Sequence, residues 1–138
     1  MVAVKGRALA GGSARGRVLF AREPLSFWGG YDAGTGEIID RRHALAGENA
    51  AGAVLVLPAT RGSSTTTAVL LEAIRRETAP AAILTRGPDR FLALASIAAD
   101  ELYGRSIPIV ALEPDDFERL SSAVHARVAD GTVDPGVG

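Results

Sequence analysis

The sequence predicts a three-layer α/β domain with a mixed sheet, in which irregular β structure precedes a parallel strand–helix–strand half. The first supporting observation is that residues 1–50 consist of short strand-like stretches separated by glycine-rich turns. The second is the change at Gly52, after which apolar runs alternate with segments of helical period. The chain has 138 residues, 47% of them hydrophobic, which is enough for one modest core, so a single domain is expected over residues 1–133.

The first fifty residues are expected to form short strands and hairpins. Residues 16–21 and 37–40 are the clearest short stretches of this kind. Turn signals such as Gly29-Gly30 separate them, which fits hairpins better than helices.

A strand–helix–strand unit is predicted from residue 53 onward. Residues 53–57 are continuously apolar, as in a strand buried on both faces, and Pro58 ends the run. Residues 66–76 place apolar side chains at helical spacing and leave charged ones for solvent. Residues 81–84 then supply a second buried strand, so the unit should be right-handed.

A second helix and a third strand complete the predicted parallel half. Pro88 and Asp89 suit the first positions of a helix, and Gly104 is placed to end it. Residues 107–112 follow as the third strand. The side chains expected to face the core from this helix are Phe91, Leu92, Leu94, Ala95, Ala98 and Leu102.

The C-terminal segment is expected to close the domain. Residues 113–116 open a short helix, and residues 124–133 alternate weakly, as in a strand or a hairpin around Asp130-Gly131. Residues 134–138 are expected to be a disordered tail.

Composition excludes several classes of function. With 15 basic and 16 acidic residues the formal net charge is −1, so neither nucleic acid nor an anionic membrane is an expected partner. The chain has no cysteine and two histidines, so no metal or iron–sulfur cluster is expected to be bound by this chain. No apolar run reaches the roughly 18 to 20 residues that span a bilayer, and the N-terminus lacks a signal-peptide pattern, which predicts a cytoplasmic protein.

The most informative segment lies between the predicted strand at 53–57 and the helix that follows it, where open α/β sheets bind ligands. It reads Arg61-Gly62-Ser63-Ser64-Thr65-Thr66-Thr67. The N–H groups of a helix start, five successive hydroxyls and one guanidinium together favour a carboxylate or phosphate ligand. A plain helix cap at Ser63 or Ser64 is the alternative, but a cap requires one hydroxyl rather than five.

Two further segments bring useful side chains together. An aromatic stretch on a glycine-rich loop contains Ser26, Phe27 and Trp28, and it suits either a contact surface or an anchor onto the domain's own core. The other contains Asp40 and His43, which could line a site or form a local ion pair. A Ser-His-Asp triad of Ser63, His43 and Asp40 is disfavoured because the sequence Gly-x-Ser-x-Gly is missing.

Five stretches, in this order and spacing, resemble the aconitase X swivel domain, and the resemblance runs from about residue 5 to residue 112. They read EPLSFWGG at 23–30, IIDRRH at 38–43, LVLP at 55–58, RGSS at 61–64 and APAAI at 79–83. The combination is far more specific than any single stretch. The resemblance implies a swivelling β/β/α domain, present as a small subunit or fused, that closes over a large subunit carrying an iron–sulfur cluster or iron.

The resemblance also implies roles for individual residues. In the wider aconitase superfamily the first serine of a Gly-Ser-Ser turn removes a proton next to a carboxylate, which makes Ser63 the expected catalytic base. The expected substrate-binding residues are Arg61, Gly62, Ser64 and Thr65, and the expected rim or subunit interface comprises Ser26, Phe27, Trp28, Asp40 and His43. Aconitase has an arginine where this chain has Thr65, which argues against a citrate-like substrate.

The resemblance leaves two reactions open for a heteromeric hydro-lyase acting on a small carboxylate. One converts cis-3-hydroxy-L-proline to Δ1-pyrroline-2-carboxylate, and the other converts mevalonate 5-phosphate to trans-anhydromevalonate 5-phosphate. The stretches at 26–30 and 38–43 look like the bacterial type, which favours hydroxyproline. A hypothesis of another class is a non-catalytic module that binds a small anion at its Ser/Thr turn and docks a partner through its aromatic loop.

Overall fold

The computed structural model describes residues 2–136 and is built around one large sheet flanked by helices. The helices are α1 (Ser64–Arg76), α2 (Arg90–Tyr103) and α3 (Pro114–Arg119), the last continuing into a 3₁₀ turn at Leu120–Ser122. The strands are β1 (Val4–Lys5), β2 (Arg7–Ala10), β3 (Ser13–Phe20), β4 (Leu25–Ser26), β5 (Val54–Leu57), β6 (Thr60–Arg61), β7 (Ala82–Arg86), β8 (Ile109–Leu112), β9 (His125–Ala129) and β10 (Thr132–Gly136).

The large sheet has the strand order β1-β10-β9-β3-β5-β7-β8-β2. Strands β3, β5, β7 and β8 are parallel, and the remaining pairs are antiparallel. Strands β1 and β2 stand at opposite ends of this order, and only Gly6 separates them along the chain. Gly6 therefore joins the two ends of the sheet, as in a barrel. A Cβ atom there would lie 2.5 Å from Val110 Cγ1 and 2.7 Å from the Ala111 carbonyl oxygen, so the close approach requires glycine.

The two faces of the sheet bury two separate apolar clusters. We call the cluster that contains Val54 and Val56 the inner cluster and the one that contains Leu55 and Leu57 the outer cluster. All four are residues of β5, which is buried along its whole length. Alternate side chains of a strand point to opposite faces, so this strand supplies both clusters. The inner cluster also contains Val4, Ala82, Leu84, Val110, Leu112, Phe117, Leu120, Ala126, Val128 and Val133, while α1 and α2 cover the outer one.

The predicted fold class and the parallel half are confirmed. Three buried strands and two intervening helices occur in the expected order, and Asp89 and Gly104 bound α2 as expected. The predicted hairpin around Asp130-Gly131 is also present, as β9 and β10. Residues 37–40, expected to have strand character, contribute only isolated bridges from Glu37 and Ile38.

The predicted core face of α2 is partly wrong. Leu92 and Ala95 are buried as predicted, but Leu94 and Leu102 are exposed, and the helix also buries Ala93, Ser96 and Ala99. The helix is apolar around most of its circumference, so periodicity does not select one face. Small side chains face inward because α1, α2 and the sheet approach one another closely.

The expected disordered tail at 134–138 is wrong for its first three residues. Strand β10 continues through Gly136, and its register with β9 pairs Asp134 with Arg127 and Pro135 with Ala126. Proline is tolerated there because β1 pairs only with the first residues of β10, leaving the later part at an edge. Residues 137 and 138 lie outside the described residues. No helix in the described range is long and apolar enough to cross a membrane.

Candidate active site

The candidate active site is the turn that joins β5 to α1 at the carboxyl edge of the parallel strands. Gly62 has a φ of +112°, a backbone conformation that residues with a Cβ atom rarely adopt. Ser63 follows as the residue that precedes the helix, and the Thr66 N–H donates to its carbonyl oxygen at 2.9 Å. The Ser63 side chain is exposed and does not cap the helix, so its hydroxyl is available to a ligand.

The five successive hydroxyl residues divide into two groups. Thr66 is fully buried and donates to the Arg61 carbonyl oxygen at 3.3 Å, and Thr67 donates to the Phe91 carbonyl oxygen at 2.9 Å. These two hydroxyls hold the turn and α1 in place. Ser63, Ser64 and Thr65 are exposed, so they form the surface that a ligand could meet.

The electrostatics of the turn favour an anion. The first N–H groups of a helix lack partners inside it, and no acidic residue lies in the first turn of α1. Arg61 is exposed and takes part in none of the ion pairs found within residues 2–136. A carboxylate, a phosphate or a developing oxyanion beside Ser63 would therefore meet unpaired donors and a free guanidinium.

Asp89 fixes the turn to α2, a role that the sequence analysis did not predict. One carboxylate oxygen accepts from the Thr60 N–H at 3.0 Å and from the Thr60 hydroxyl at 2.6 Å. The other oxygen accepts from the N–H groups of Phe91 and Leu92, both at 3.2 Å. The buried carboxylate therefore caps α2 and anchors the strand that leads into the serine turn.

The aromatic loop lies beside this turn. Strands β4 and β6 pair in parallel, with Ser26 opposite Arg61. The Ser26 hydroxyl donates to the Trp28 carbonyl oxygen at 2.9 Å, and the Trp28 side chain is 68% exposed. The structure therefore brings Ser26 and Trp28 next to the predicted substrate-binding segment, as a surface suited to a partner.

Phe27, predicted at the rim or interface, is instead a core residue. It is fully buried and stacks on Tyr31 with ring centroids 4.9 Å apart. The Tyr31 hydroxyl donates to the Thr78 carbonyl oxygen at 2.7 Å, and burial raises the pKa of this phenol far above its ordinary value. Phe27 and Tyr31 anchor the loop, which leaves Trp28 projecting from it.

His43 was also expected at the rim, and the structure buries it in a structural role. The Leu45 N–H donates to Nδ1 at 3.1 Å, so the other ring nitrogen, Nε2, carries the proton and donates to the Glu23 carbonyl oxygen at 3.2 Å. Both ring nitrogens are used, which argues against a triad with Ser63. Asp40 is half-buried, and its carboxylate accepts from the Arg42 N–H at 3.0 Å.

This chain's residues do not fit a metal or iron–sulfur centre. The sequence has no cysteine, and the described residues hold no group of three or more His, Asp or Glu side chains that could bind a metal ion. Two clefts of about 600 and 550 Å³ lie elsewhere on the surface, and Ser63 lines neither. The serine turn is open to solvent and lacks the walls that would exclude water.

The fold and the turn define an α/β domain with an exposed serine turn at the start of α1. A family model described as the aconitase X swivel domain matches residues 3–134. The chain belongs to the aconitase X swivel domain family, as the resemblance predicted.

Relatives of two kinds contain this domain. A cis-3-hydroxy-L-proline dehydratase of Pseudomonas aeruginosa is 49% identical over 93% of this chain, which spans only 22% of that relative's length. A phosphomevalonate dehydratase small subunit of Methanothermobacter thermautotrophicus is 39% identical over 80% of each chain. The crystal structure of Thermococcus kodakaraensis aconitase X in its holo form matches with a TM-score of 0.86 and 31% identity, over 99% of this chain and 100% of that one.

Proposed function

We propose that this chain is the swivel component of an aconitase X type hydro-lyase and that its active site forms when it closes over a large subunit. The observation that carries the proposal is the free Ser63 hydroxyl at the start of α1, beside an unpaired Arg61. Two kinds of relative named dehydratases support the same reaction class. The cytoplasm is the expected compartment.

In the proposed reaction Ser63 is the base. Its oxygen takes the proton from the carbon next to the substrate carboxylate, and the electron pair forms a carbon–carbon double bond. The hydroxyl group on the neighbouring carbon takes up a proton from an acid of the large subunit and leaves as water. With cis-3-hydroxy-L-proline the resulting enamine then tautomerises to Δ1-pyrroline-2-carboxylate. A serine hydroxyl is a weak base, so it must react as an alkoxide. The N–H groups at the start of α1 and the Arg61 guanidinium would stabilise that alkoxide in a dry site.

Water exclusion has to come from the partner. Ser63, Ser64 and Thr65 are exposed in this chain, and hydrogen bonds to an oxyanion are strong only where water is absent. The large subunit is also expected to hold the iron–sulfur cluster or iron. Gly62, Ser64 and Thr65 would bind the substrate carboxylate through N–H and hydroxyl groups, and Trp28 would lie at the rim of the closed site.

The substrate we favour is cis-3-hydroxy-L-proline. The relative named for that activity is 49% identical, against 39% and 45% for two small subunits named for phosphomevalonate. The alternative, mevalonate 5-phosphate, is supported by alignments that cover 80% and 93% of two small subunits named for phosphomevalonate. One uncharged threonine at position 65 suits either of these substrates better than a tricarboxylate.

The experiment offers both substrates to this chain alone, to the large subunit of the same organism alone, and to the two together. We expect dehydration only by the mixture, with cis-3-hydroxy-L-proline preferred. Turnover of mevalonate 5-phosphate instead would select the alternative. A stable, metal-loaded complex that dehydrates neither substrate would contradict the proposed function.

A further inference from the structure

A basic cleft of about 550 Å³ opens where β1 passes into β2, beside the carboxyl ends of β7 and β8. Its charged lining residues are Lys5, Arg7, Arg86 and Glu113, all of them exposed, so three cations stand against one carboxylate. None of the three cations takes part in an ion pair within residues 2–136. A cleft lined mainly by one sign of charge concentrates ions of the opposite sign, so this cleft attracts anions.

The closure of the sheet brings these cations together from distant parts of the chain. Gly6 packs closely against β8, which holds its two neighbours, Lys5 and Arg7, beside that strand. Arg7 pairs with Ala111 of β8, and Arg86 is the last residue of β7, the strand next to β8 in the sheet. The tight crossing at Gly6 therefore forms one wall of the cleft, and the end of β7 forms the other.

The segment that carries Arg86 is held in place on both sides. The Arg86 N–H donates to the Pro58 carbonyl oxygen at 3.1 Å, and the Gly87 N–H donates to the Leu112 carbonyl oxygen at 2.9 Å. The Arg86 guanidinium lies over the Phe117 ring, 5.7 Å from its centroid. Because its backbone and its guanidinium are both positioned, Arg86 can bind a ligand with little further loss of conformational freedom.

We infer that this cleft binds a phosphate group, either the free ion or an ester of a small molecule. The net charge of +2 on its four charged side chains complements the roughly −2 of a phosphate group. Each of the two guanidiniums can donate a pair of hydrogen bonds to phosphate oxygens, and Lys5 adds a compact positive charge.

The cleft is separate from the serine turn. None of the residues from Arg61 to Thr67 lines it, so the inference does not depend on the proposed function and can be tested on this chain alone. Its volume falls in the range of about 300–1,000 Å³ that is usual for small-molecule sites, which leaves room for the organic part of an ester.

The test is an amide-resolved NMR titration of this chain at constant ionic strength, with inorganic phosphate and glycerol 3-phosphate as the probes. We expect saturable shifts at the amides of Lys5, Arg7, Arg86 and Gly87, which line the cleft. A lower Kd for glycerol 3-phosphate would identify an ester as the ligand, and a lower Kd for inorganic phosphate would identify the free ion. Either result supports the phosphate site.

Substitutions then assign the binding to the cleft. Arg7→Gln and Arg86→Gln keep most of the side-chain stem, and each should raise the Kd at least about fivefold, because each removes a charge-assisted contact. Arg76→Gln is the matched control and should leave the Kd unchanged. Arg76 is also exposed and forms none of the ion pairs found in the described part of the chain, but it ends α1 at the opposite edge of the sheet. All three variants should keep nearly the same Tm, since the substituted side chains are exposed.

Three results would overturn the inference. The first is that neither probe shifts the cleft amides, or that both probes shift only those of the serine turn. The second is that Arg7→Gln and Arg86→Gln bind phosphate as tightly as Arg76→Gln. The third is that both cleft variants bind the purified large subunit more weakly while the assembled complex binds no phosphate, because the cleft would then hold a carboxylate of the partner.

Discussion

Replacement of Asp89 by alanine tests how the serine turn is held. The buried carboxylate accepts four hydrogen bonds, two from Thr60 and two from the first N–H groups of α2. Loss of the helix cap alone destabilises a protein by about 1 kcal/mol. The two bonds from Thr60 to a charged acceptor contribute about 1.5–3 kcal/mol each when measured singly, and less together because they share one partner.

The expected loss for Asp89→Ala is therefore about 3 kcal/mol of unfolding free energy, or about 10 °C in Tm for a chain of this size. Thr60→Val removes the 2.6 Å hydroxyl bond but keeps the backbone bond and the side-chain volume, so about 1.5 kcal/mol should be lost. The double variant should lose about 1.5 kcal/mol less than the sum of the single losses, because both changes remove the same bond.

Urea unfolding of the four chains, followed by far-UV circular dichroism, measures these differences. In the assembled enzyme Asp89→Ala should also lower turnover, because the strand leading to Ser63 loses its anchor to α2. A loss below 1 kcal/mol for Asp89→Ala would refute this account of the anchor. Strict additivity with Thr60→Val would refute it as well.

Three other predictions concern the loop and the closed sheet. Gly6→Ala should destabilise the fold by about 2–3 kcal/mol in urea unfolding, because its Cβ atom would lie 2.7 Å from the Ala111 carbonyl oxygen; a loss under 0.5 kcal/mol would contradict the tight closure. The raised pKa of Tyr31 means that above about pH 10 the unfolded chain releases a proton that the native one keeps, so stability should fall by about 1.4 kcal/mol per pH unit. Tyr31→Phe should flatten that slope between pH 10 and 11, and equal slopes would contradict burial as the cause. Trp28 is the only tryptophan, so its emission should shift to shorter wavelength when the large subunit binds, and an unchanged spectrum would place the loop outside the interface.

The parallel half of the fold was predictable because its signals are local. Residues 53–57 and 81–84 are apolar runs of strand length bounded by prolines, and the helix between them has a clear polar face. The closure of the sheet was not predictable in the same way. It depends on β1, a strand of two residues, and on its pairing with β10 more than 120 positions away, as in Val4 with Val133.

The candidate site shows the same division between local and long-range information. The serine turn was predictable because its place after a buried strand and its composition are both read along the chain. Asp89 was recognised as a helix start, but its contact with Thr60 spans 29 positions and leaves no local pattern. Phe27 and His43 were assigned to a surface by their chemistry, whereas hydrogen bonding and packing place both in the interior.

The central claim is that Ser63 removes the proton from the substrate in the closed enzyme. The most direct measurement is steady-state dehydration of cis-3-hydroxy-L-proline by the complex that contains Ser63→Ala, with Ser106→Ala as the matched control. Ser106 is an exposed serine before β8, at the edge of the sheet opposite the turn. The proposed role predicts that Ser63→Ala lowers kcat by about 10²–10⁴-fold without changing the Kd for the large subunit, and that Ser106→Ala has no effect. Equal kcat values for the two variants, with both complexes intact, would contradict the role of Ser63 and favour a non-catalytic, anion-binding module.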